Sequence, residues 1–183
     1  MVLLCLLAVA GGWLWFSRPV TASQQLRGYS VSGVQVIDMV TPPRGPTQLH
    51  GIATEDSKEI QELLGLLDQY PTNRKWDWSW MLGKGFGDYN GKDPYSSVWV
   101  VLSFRDADGK AGSLQYIVSE TGRVQVFEPN RFGDVPAGGG RFGAEGAKQY
   151  FAALHRFYEQ KVDSPLWVPS TPTEEEKRTG IDT

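Results

Sequence analysis

Apolar and polar residues alternate along three consecutive segments between Ser97 and Phe127. Side chains of a β-strand point alternately to its two faces, so residues at every second position line one face. The apolar residues of these segments are Val98, Val100, Leu102 and Phe104, then Leu114, Tyr116 and Val118, and finally Val124 and Val126 followed by Phe127. Turn-forming residues at 106–110 and 121–122 separate the segments. The pattern predicts an antiparallel meander with one apolar face.

Two other segments repeat apolar residues at helical spacing. In the first, Asp56 and Glu59 form a capping arrangement before the apolar stripe, and Pro71 ends the helix. The stripe consists of Ile60, Leu63, Leu64 and Leu67. The second helix is predicted at residues 144–161, where the apolar positions are Ala147, Tyr150, Phe151, Leu154, Phe157 and Tyr158. A further strand is predicted at residues 29–40, with a bulge at Gly33.

These elements predict an α+β fold, in which an antiparallel meander sheet of about four strands carries two amphipathic helices packed on one face. The length of 183 residues suits a single domain with extensions, and we place that domain at residues 23–168. Residues 169–183 are predicted to be a disordered tail, because the chain from Ser170 onward holds one aliphatic residue and no aromatic residue.

The chain starts with an apolar run from Met1 to Phe16 that contains no charged residue and ends abruptly at residues 17–19. A helix of this length reaches about 24 Å, which is short of a roughly 30 Å hydrocarbon core but ample for a signal peptide. The small residue Ala22 would permit cleavage, whereas the lack of basic residues before the run favours a retained anchor. Residues 1–22 are therefore predicted to be a signal peptide or a membrane anchor, and in both cases this segment contacts the membrane. The alternative is an apolar amino-terminal helix that belongs to a soluble fold.

Charge and cysteine content narrow the function classes. Lys and Arg number 18, Asp and Glu number 21, and the net charge is −3, with no run of five or more basic residues. We therefore expect no nucleic-acid partner. One cysteine and two histidines provide neither a disulfide framework nor a cysteine-rich or histidine-rich metal centre. We predict no metal site and no cofactor.

The most unusual stretch places three tryptophans at every second position of residues 76–80. On an extended segment the three indole rings would face one side, where they can stack on sugar rings while polar neighbours bind the hydroxyl groups. The candidate ligand-binding residues are Trp76, Asp77, Trp78, Trp80, Tyr89 and Tyr95. The alternative is that the indoles form the packing face of a short strand, because large aromatic side chains dominate protein cores.

In the other candidate motifs, the spacing of the residues does not predict a metal, phosphate or catalytic site. Residues 88–93 lack the acidic spacing and closing Glu of an EF-hand, so a plain turn is preferred. The glycines at 138–140 lack the lysine and hydroxyl residue of a phosphate loop. His50 and His155 have no serine, cysteine or acid at a triad-like spacing, although triads assemble in space. No catalytic residue is therefore predicted.

The elements follow one another as an apolar export segment, a strand, a helix beginning DSKEIQELLGLL, a meander, and VFEP near its end. In this order, residues 31–130 resemble a group of small exported domains of unknown function from Gram-positive bacteria, in which a helix precedes a short antiparallel sheet. The resemblance implies export and a fold, and no site residue. The stretch YIVSETGRVQV is similar to paired strands of small exported peptidase-regulatory modules, which implies a protein-binding or inhibitory role.

We therefore expect an exported or membrane-anchored, non-catalytic binding or accessory module of the cell envelope, outside the cytoplasm. Its expected partner is an envelope glycan or a membrane or envelope protein. The first alternative is a protein-interaction or peptidase-regulatory module that docks through its sheet or through the Gly-rich loop at 130–142. The second is a hydrolase with an unrecognised site, which would need His50 or His155 to meet acidic side chains in a pocket.

Overall fold

The structure is a computed structural model that describes residues 10–42, 44, 46–74, 95–106, 108–127, 135–138 and 143–170, of which 95 and 135–138 are described as backbone. The helices are α1, described over residues 10–16, α2 (Ala22–Gln25), α3 (Ser57–Gln69) and α4 (Gly143–Lys161). The strands are β1 (Pro19–Val20), β2 (Ser30–Thr41), β3 (Gln48–Thr54), β4 (Thr72–Arg74), β5 (Tyr95–Arg105), β6 (Ala111–Ser119), β7 (Val124–Phe127), β8 (Val135–Gly138) and β9 (Val168–Pro169).

The strands form one sheet in the order β1-β4-β8-β7-β6-β5-β2-β3-β9, and each neighbouring pair is antiparallel. Strands β5, β6 and β7 are the meander that the alternating pattern predicted, with Leu102 opposite Leu114 and Tyr116 opposite Val126. The prediction of an α+β fold with an antiparallel sheet is therefore confirmed. The prediction of a four-strand meander is wrong, because the sheet extends beyond the meander on both sides.

The additional strands lack a clear alternating pattern. In β3, His50 and Gly51 interrupt the apolar positions, yet this strand pairs with β2 to form a hairpin. Strands β1, β4, β8 and β9 hold two to four residues each, which is too short to show a period of two. In β2 the register with β5 shifts between Val31 and Gly33, where a bulge was predicted.

One face of the sheet carries the hydrophobic core. Alternate residues of β2, β5, β6 and β7 join the buried residues of α3 and α4 in a single cluster. Leu63 and Leu154 are 0 % exposed, and Tyr150 of α4 stacks on Tyr70 with ring centroids 5.2 Å apart. Each fully buried leucine contributes roughly 1.5–3 kcal/mol through loss of contact with water. The helices are thus held to the sheet by the apolar stripes that the sequence revealed.

Helix α3 starts where the sequence predicted. The Asp56 carboxylate accepts hydrogen bonds from the backbone N–H groups of Lys58 (2.9 Å) and Glu59 (3.1 Å). The predicted capping role of Glu59 is wrong. Its carboxylate instead accepts a hydrogen bond from the indole N–H of Trp167 at 2.8 Å and lies 2.8 Å from Lys161 Nζ. Donors at the end of α4 and in the segment before β9 therefore compete successfully for this side chain.

Lys161 Nζ also lies 2.7 Å from the carboxylate of Glu62. Glu59, Glu62, Lys161 and Trp167, which we call the Glu59 cluster, therefore tie α3 to the end of α4 and to the segment before β9. Beyond this cluster, Pro169 pairs with Ile52, and the backbone N–H of Ser170 donates a 2.8 Å hydrogen bond to Gly51. Residues 169 and 170, where the sequence placed the start of a tail, are thus paired with β3.

Candidate functional site

The end of the apolar amino-terminal run is joined directly to the edge of the sheet. Ser17 closes α1, because its backbone N–H and its hydroxyl both donate to the carbonyl of Trp13. Two residues later β1 begins, and Pro19 and Val20 pair with Asn73 and Thr72 of β4. No linker therefore separates α1 from the domain.

The residues after β1 are also part of the fold. Thr21 and Gln24 form a capping box at the start of α2, in which each side chain binds the backbone of the other. Ala22 and Leu26 are 2 % and 5 % exposed, respectively, and belong to the main hydrophobic core. The position at which a signal peptide would be cut is therefore a buried structural residue.

Helix α1 exposes three consecutive large apolar side chains. Trp13, Leu14 and Trp15 are 49 %, 69 % and 63 % exposed, respectively. A contiguous exposed apolar patch on a protein surface usually marks contact with another apolar phase. Among the described residues, no helix is both long enough and apolar enough to cross a membrane.

A cavity of about 260 Å³ lies between α1, β1, β4 and the segment after α2. We call it the amino-terminal pocket. Two guanidinium groups belong to its described lining, which consists of Trp15, Phe16, Arg18, Val20, Gln24, Gln25, Tyr29 and Arg74. The guanidinium carbon of Arg18 lies 5.1 Å from the ring centroid of Trp15, and that of Arg74 lies 5.7 Å from the ring centroid of Phe16. Both arginines are therefore placed against α1 by cation–π contacts.

The two glutamines of the pocket are held by hydrogen bonds. The Gln25 amide donates to the Thr72 hydroxyl at 3.4 Å and accepts from the Tyr116 hydroxyl at 3.2 Å. The Gln24 carbonyl oxygen accepts from the backbone N–H of Thr21 at 3.1 Å, so its amide NH₂ is the part that can serve a ligand. The described lining of the pocket thus carries two arginine side chains and the amide of Gln24.

A second polar group lies under α4, at the opposite edge of the core. Asp38 occupies the helix-covered face of β2, two positions after Val36 and directly opposite His50 of β3. His155 of α4 places Nε2 3.7 Å from Asp38 Oδ1 and Nδ1 3.7 Å from the carboxylate of Glu159. These four residues form what we call the Asp38 cluster.

One oxygen of the Asp38 carboxyl group is buried without a described hydrogen-bond donor. Its side chain is 14 % exposed, and its buried Oδ1 atom accepts no hydrogen bond in the structure. Burial raises the pKa of this carboxyl group above its ordinary value, while the nearby imidazoles of His155 and His50 act in the opposite direction. The Asp38 carboxyl therefore holds its proton to higher pH than an exposed carboxyl does.

The Asp38 cluster is the arrangement on which the hydrolase alternative depends. It joins a histidine to two acids, but both separations of 3.7 Å exceed hydrogen-bond distance. No hydrogen bond from a serine or threonine hydroxyl to His155 is seen in the described part of the chain. The described residues also contain no group of three side chains suited to bind a metal ion. Within the described residues, the cluster is therefore a partly buried acid beside an imidazole.

Most of the predicted ligand-binding residues lie outside the described residues. This applies to Trp76, Asp77, Trp78, Trp80 and Tyr89, and also to the predicted turn at 88–93 and to most of the loop at 130–142. Tyr95 is the first residue of β5 and its backbone is paired with Thr41. The glycan-binding interpretation therefore stays a prediction. The chain enters the tryptophan-containing stretch from Arg74, a residue of the amino-terminal pocket.

Sequence reasoning missed the residues that the structure brings together. Asp38 did carry a signal, because it continues the alternating positions of Val34 and Val36 and is thus an acid on a core face. Arg18 and Arg74 carried none, since they meet only after β1 pairs with β4.

No protein-family model, no curated protein and no solved structure matches this chain. The similarity to small exported domains therefore remains one of residue pattern. What the chain does has to follow from its own side chains.

Proposed function

We propose that this chain is a membrane-attached, non-catalytic binding module of the cell envelope, with its folded domain held at the outer surface of the bilayer. The observation that carries the proposal is the exposed patch of Trp13, Leu14 and Trp15 on a helix that continues without a linker into the sheet. Tryptophan is enriched at membrane–water interfaces, where its ring lies at the level of the headgroups. Arg18 follows the patch, as expected for the point at which a chain leaves the apolar phase.

The contacts of residues 19–26 favour a retained anchor over a cleaved signal peptide. A cut after Ala22 would remove β1, the capping residue Thr21 and one buried core residue. Loss of an N-terminal cap alone costs a helix about 1 kcal/mol. A processing site is expected in an exposed and extended segment. We therefore propose that the folded domain starts at β1 and that the apolar run stays attached to it.

The membrane proposal also bears on ligand binding. Strand β4 pairs with β1, so the chain departs for residues 75–94 from the edge of the sheet that carries α1. The three tryptophans predicted to bind sugars follow Arg74 within six residues of the chain. An envelope glycan accordingly remains the proposed ligand class for Trp76, Trp78 and Trp80.

Reconstitution with vesicles tests membrane attachment. We expect the full chain to float with phosphatidylcholine vesicles and to remain bound in high salt, because apolar burial is not screened by ions. The variant Trp13→Asp, Leu14→Asp, Trp15→Asp should lose most of this binding. A matched control replaces exposed apolar residues elsewhere, Val162 (41 % exposed) and Leu166 (50 % exposed), with Asp and should bind as the original chain does. Equal loss in both variants, or no binding by the original chain, would contradict the proposal.

Retention of the apolar run is tested on the protein recovered from the cells that make it. The intact mass should include residues 1–22, and the protein should stay in the membrane fraction after a high-salt wash. Proteolysis of intact cells should degrade the domain if it lies outside the cytoplasm. A mature protein that begins at residue 23 would refute the anchor.

A further inference from the structure

We propose that the Asp38 cluster is a pH-sensitive contact, in which the protonated ring of His155 on α4 bridges the carboxylates of Asp38 on β2 and Glu159. The chain contains two histidines, and both lie beside Asp38 although they are far apart in the sequence. Histidine is the side chain whose ordinary titration lies between about pH 5 and pH 8. Both side chains of this type thus meet at one partly buried acid, and the contact does not depend on membrane attachment.

Each nitrogen of the His155 ring faces a different carboxylate. Nε2 lies 3.7 Å from Oδ1 of Asp38, and Nδ1 lies 3.7 Å from Oε1 of Glu159. A neutral imidazole carries one N–H donor, and its other nitrogen is an acceptor that cannot bind a carboxylate. An imidazolium ring donates from both nitrogens, so only the protonated ring matches both acids. A movement of about 0.5 Å would bring each pair to hydrogen-bond distance.

The Asp38 oxygen that faces this ring is the one that needs a donor. Its Oδ1 atom is buried and accepts no hydrogen bond within the described residues. The His155 side chain is 35 % exposed, so it can exchange protons with water. The ring also lies against Phe151 of the same helix, with ring centroids 5.6 Å apart. The structure therefore places an imidazole that water can protonate beside a carboxyl oxygen that needs a hydrogen-bond donor.

The other side chains around Asp38 do not replace this donor in the described part of the chain. On α4 the phenol of Tyr158 stays neutral, because burial and the nearby Asp38 raise its pKa above the ordinary 10.0. On β3 His50 is directly opposite Asp38 and exposed, and its positive charge when protonated would favour the ionised carboxyl group. On β5 the residue opposite Asp38 is the buried and apolar Val98. His155 is therefore the group that can bridge the two acids.

The contact should exist only within a window of pH. As pH rises and the His155 ring loses its proton, one of its nitrogens becomes an acceptor and the bridge between the two carboxylates is lost. As pH falls and the Asp38 carboxyl group takes up a proton, the attraction to the imidazolium ring is lost. Burial raises the pKa of the Asp38 carboxyl group, which moves the acid limit of this window upward. A rise in pH above the window should therefore loosen the middle of α4 from β2.

Amide hydrogen exchange of the full chain tests the contact. We compare protection of the α4 amides around His155 with that of the β6 amides at about pH 6 and about pH 8, after correction for the intrinsic pH dependence of exchange. In the original chain the α4 amides should lose about five-fold protection relative to β6 at the higher pH, because two partly exposed ion pairs disappear. His155→Gln should remove this difference. Thermal unfolding of each chain checks that it is folded.

Two further variants separate a bridging ring from positive charge alone. Glu159→Gln changes a side chain that is 63 % exposed and should remove about half of the difference, since one of the two ion pairs remains. His50→Gln is the matched control, because it removes the other imidazole from an exposed position on β3, and it should keep most of the difference.

The outcomes that would refute the contact are distinct. An original chain without a difference between the two pH values, or an unchanged difference in His155→Gln or Glu159→Gln, would overturn the proposal. Equal loss in the two histidine variants would show that positive charge near Asp38 is responsible, and this result would overturn the bridge as well.

Discussion

Two carboxyl groups packed against α4 are buried to a similar extent but behave in opposite ways. The side chain of Asp38 is 14 % exposed and that of Glu59 is 11 % exposed. Glu59 accepts hydrogen bonds from Lys161 and from the Trp167 indole, and these bonds lower its pKa below the ordinary value. Asp38 has an imidazole at 3.7 Å but no hydrogen bond to Oδ1, and burial raises its pKa.

The difference shows that burial alone does not decide the charge state of an acid. Removing a carboxylate from water costs free energy in both places, and hydrogen-bond donors and nearby positive charge offset that cost. The Glu59 cluster supplies two donors, each 2.8 Å from the same oxygen, Oε2. It therefore acts as a structural contact between α3 and α4, whereas no described donor meets Oδ1 of Asp38. A residue that breaks the local rules of burial is a reasonable place to look for function.

The largest effect is expected on breaking the Glu59 cluster. Glu59→Ala removes a carboxylate that meets both Lys161 and Trp167, so it should lower the free energy of unfolding by about 3 kcal/mol. Glu62→Ala is the matched control, because Glu62 also contacts Lys161 but is 54 % exposed, and it should cost less than about 1 kcal/mol. Urea unfolding measures both values. Similar losses of unfolding free energy in the two variants would mean that the burial of Glu59 does not add to its effect on stability.

The opposite sign is expected at Asp38. Asp38→Asn removes a charge that the structure does not stabilise, so it should raise the free energy of unfolding at neutral pH by about 1 kcal/mol. Asp68→Asn provides the contrast, since Asp68 accepts hydrogen bonds from the backbone N–H (2.9 Å) and the hydroxyl (2.5 Å) of Ser23. This substitution should therefore lower the free energy of unfolding. Chemical unfolding decides the sign for each. A clear loss of stability in Asp38→Asn would show that Asp38 has a donor that the structure does not record.

The pH dependence of stability should separate the two acids by direction. The raised pKa of Asp38 contributes stability that is complete below its ordinary value of 3.8 and is lost as pH rises through the folded-state pKa. The lowered pKa of Glu59 contributes stability that is present above its ordinary value of 4.5 and is lost as pH falls through the folded-state pKa.

Unfolding free energies of the original chain, Asp38→Asn and Glu59→Gln, taken from about pH 3 to about pH 8, test both signs. Asp38→Asn should weaken the decline in unfolding free energy that occurs as pH rises. Glu59→Gln should weaken the loss of unfolding free energy that occurs as pH falls. Parallel profiles for all three chains would contradict the assignment of either group. This pH dependence is the smallest of the three expected effects on stability, because the change in unfolding free energy with pH comes from a single proton at each acid.

Several local features could be read from the sequence because neighbours along the chain determine them. Alternation of apolar residues predicted β5, β6 and β7, and a helical stripe with Asp56 at its start predicted α3. The bulge at Gly33 and the helix at 143–161 were also predicted, to within a residue of their observed positions. In each case the face on which a side chain lies follows from a short period along the chain, which is two residues in a strand and about four in a helix.

Other features depend on residues that are far apart in the chain. Strand β3 became recognisable only by pairing with β2, and the role of Glu59 depends on Trp167, 108 residues later. The amino-terminal pocket joins Arg18 to Arg74 through the pairing of β1 with β4, for which two residues of β1 provide no readable pattern.

The sequence alone thus determined the repeating elements, the Asp56 cap of α3 and the apolar run that suggests a membrane, since each is encoded within one or two turns or strands. Only the tertiary structure decided which acids share donors, which arginines share a pocket, and that the residues after the apolar run are part of the sheet. The physical reason is that charge and hydrogen bonding act over a few ångströms in space. The chain brings those partners together only when the core is packed.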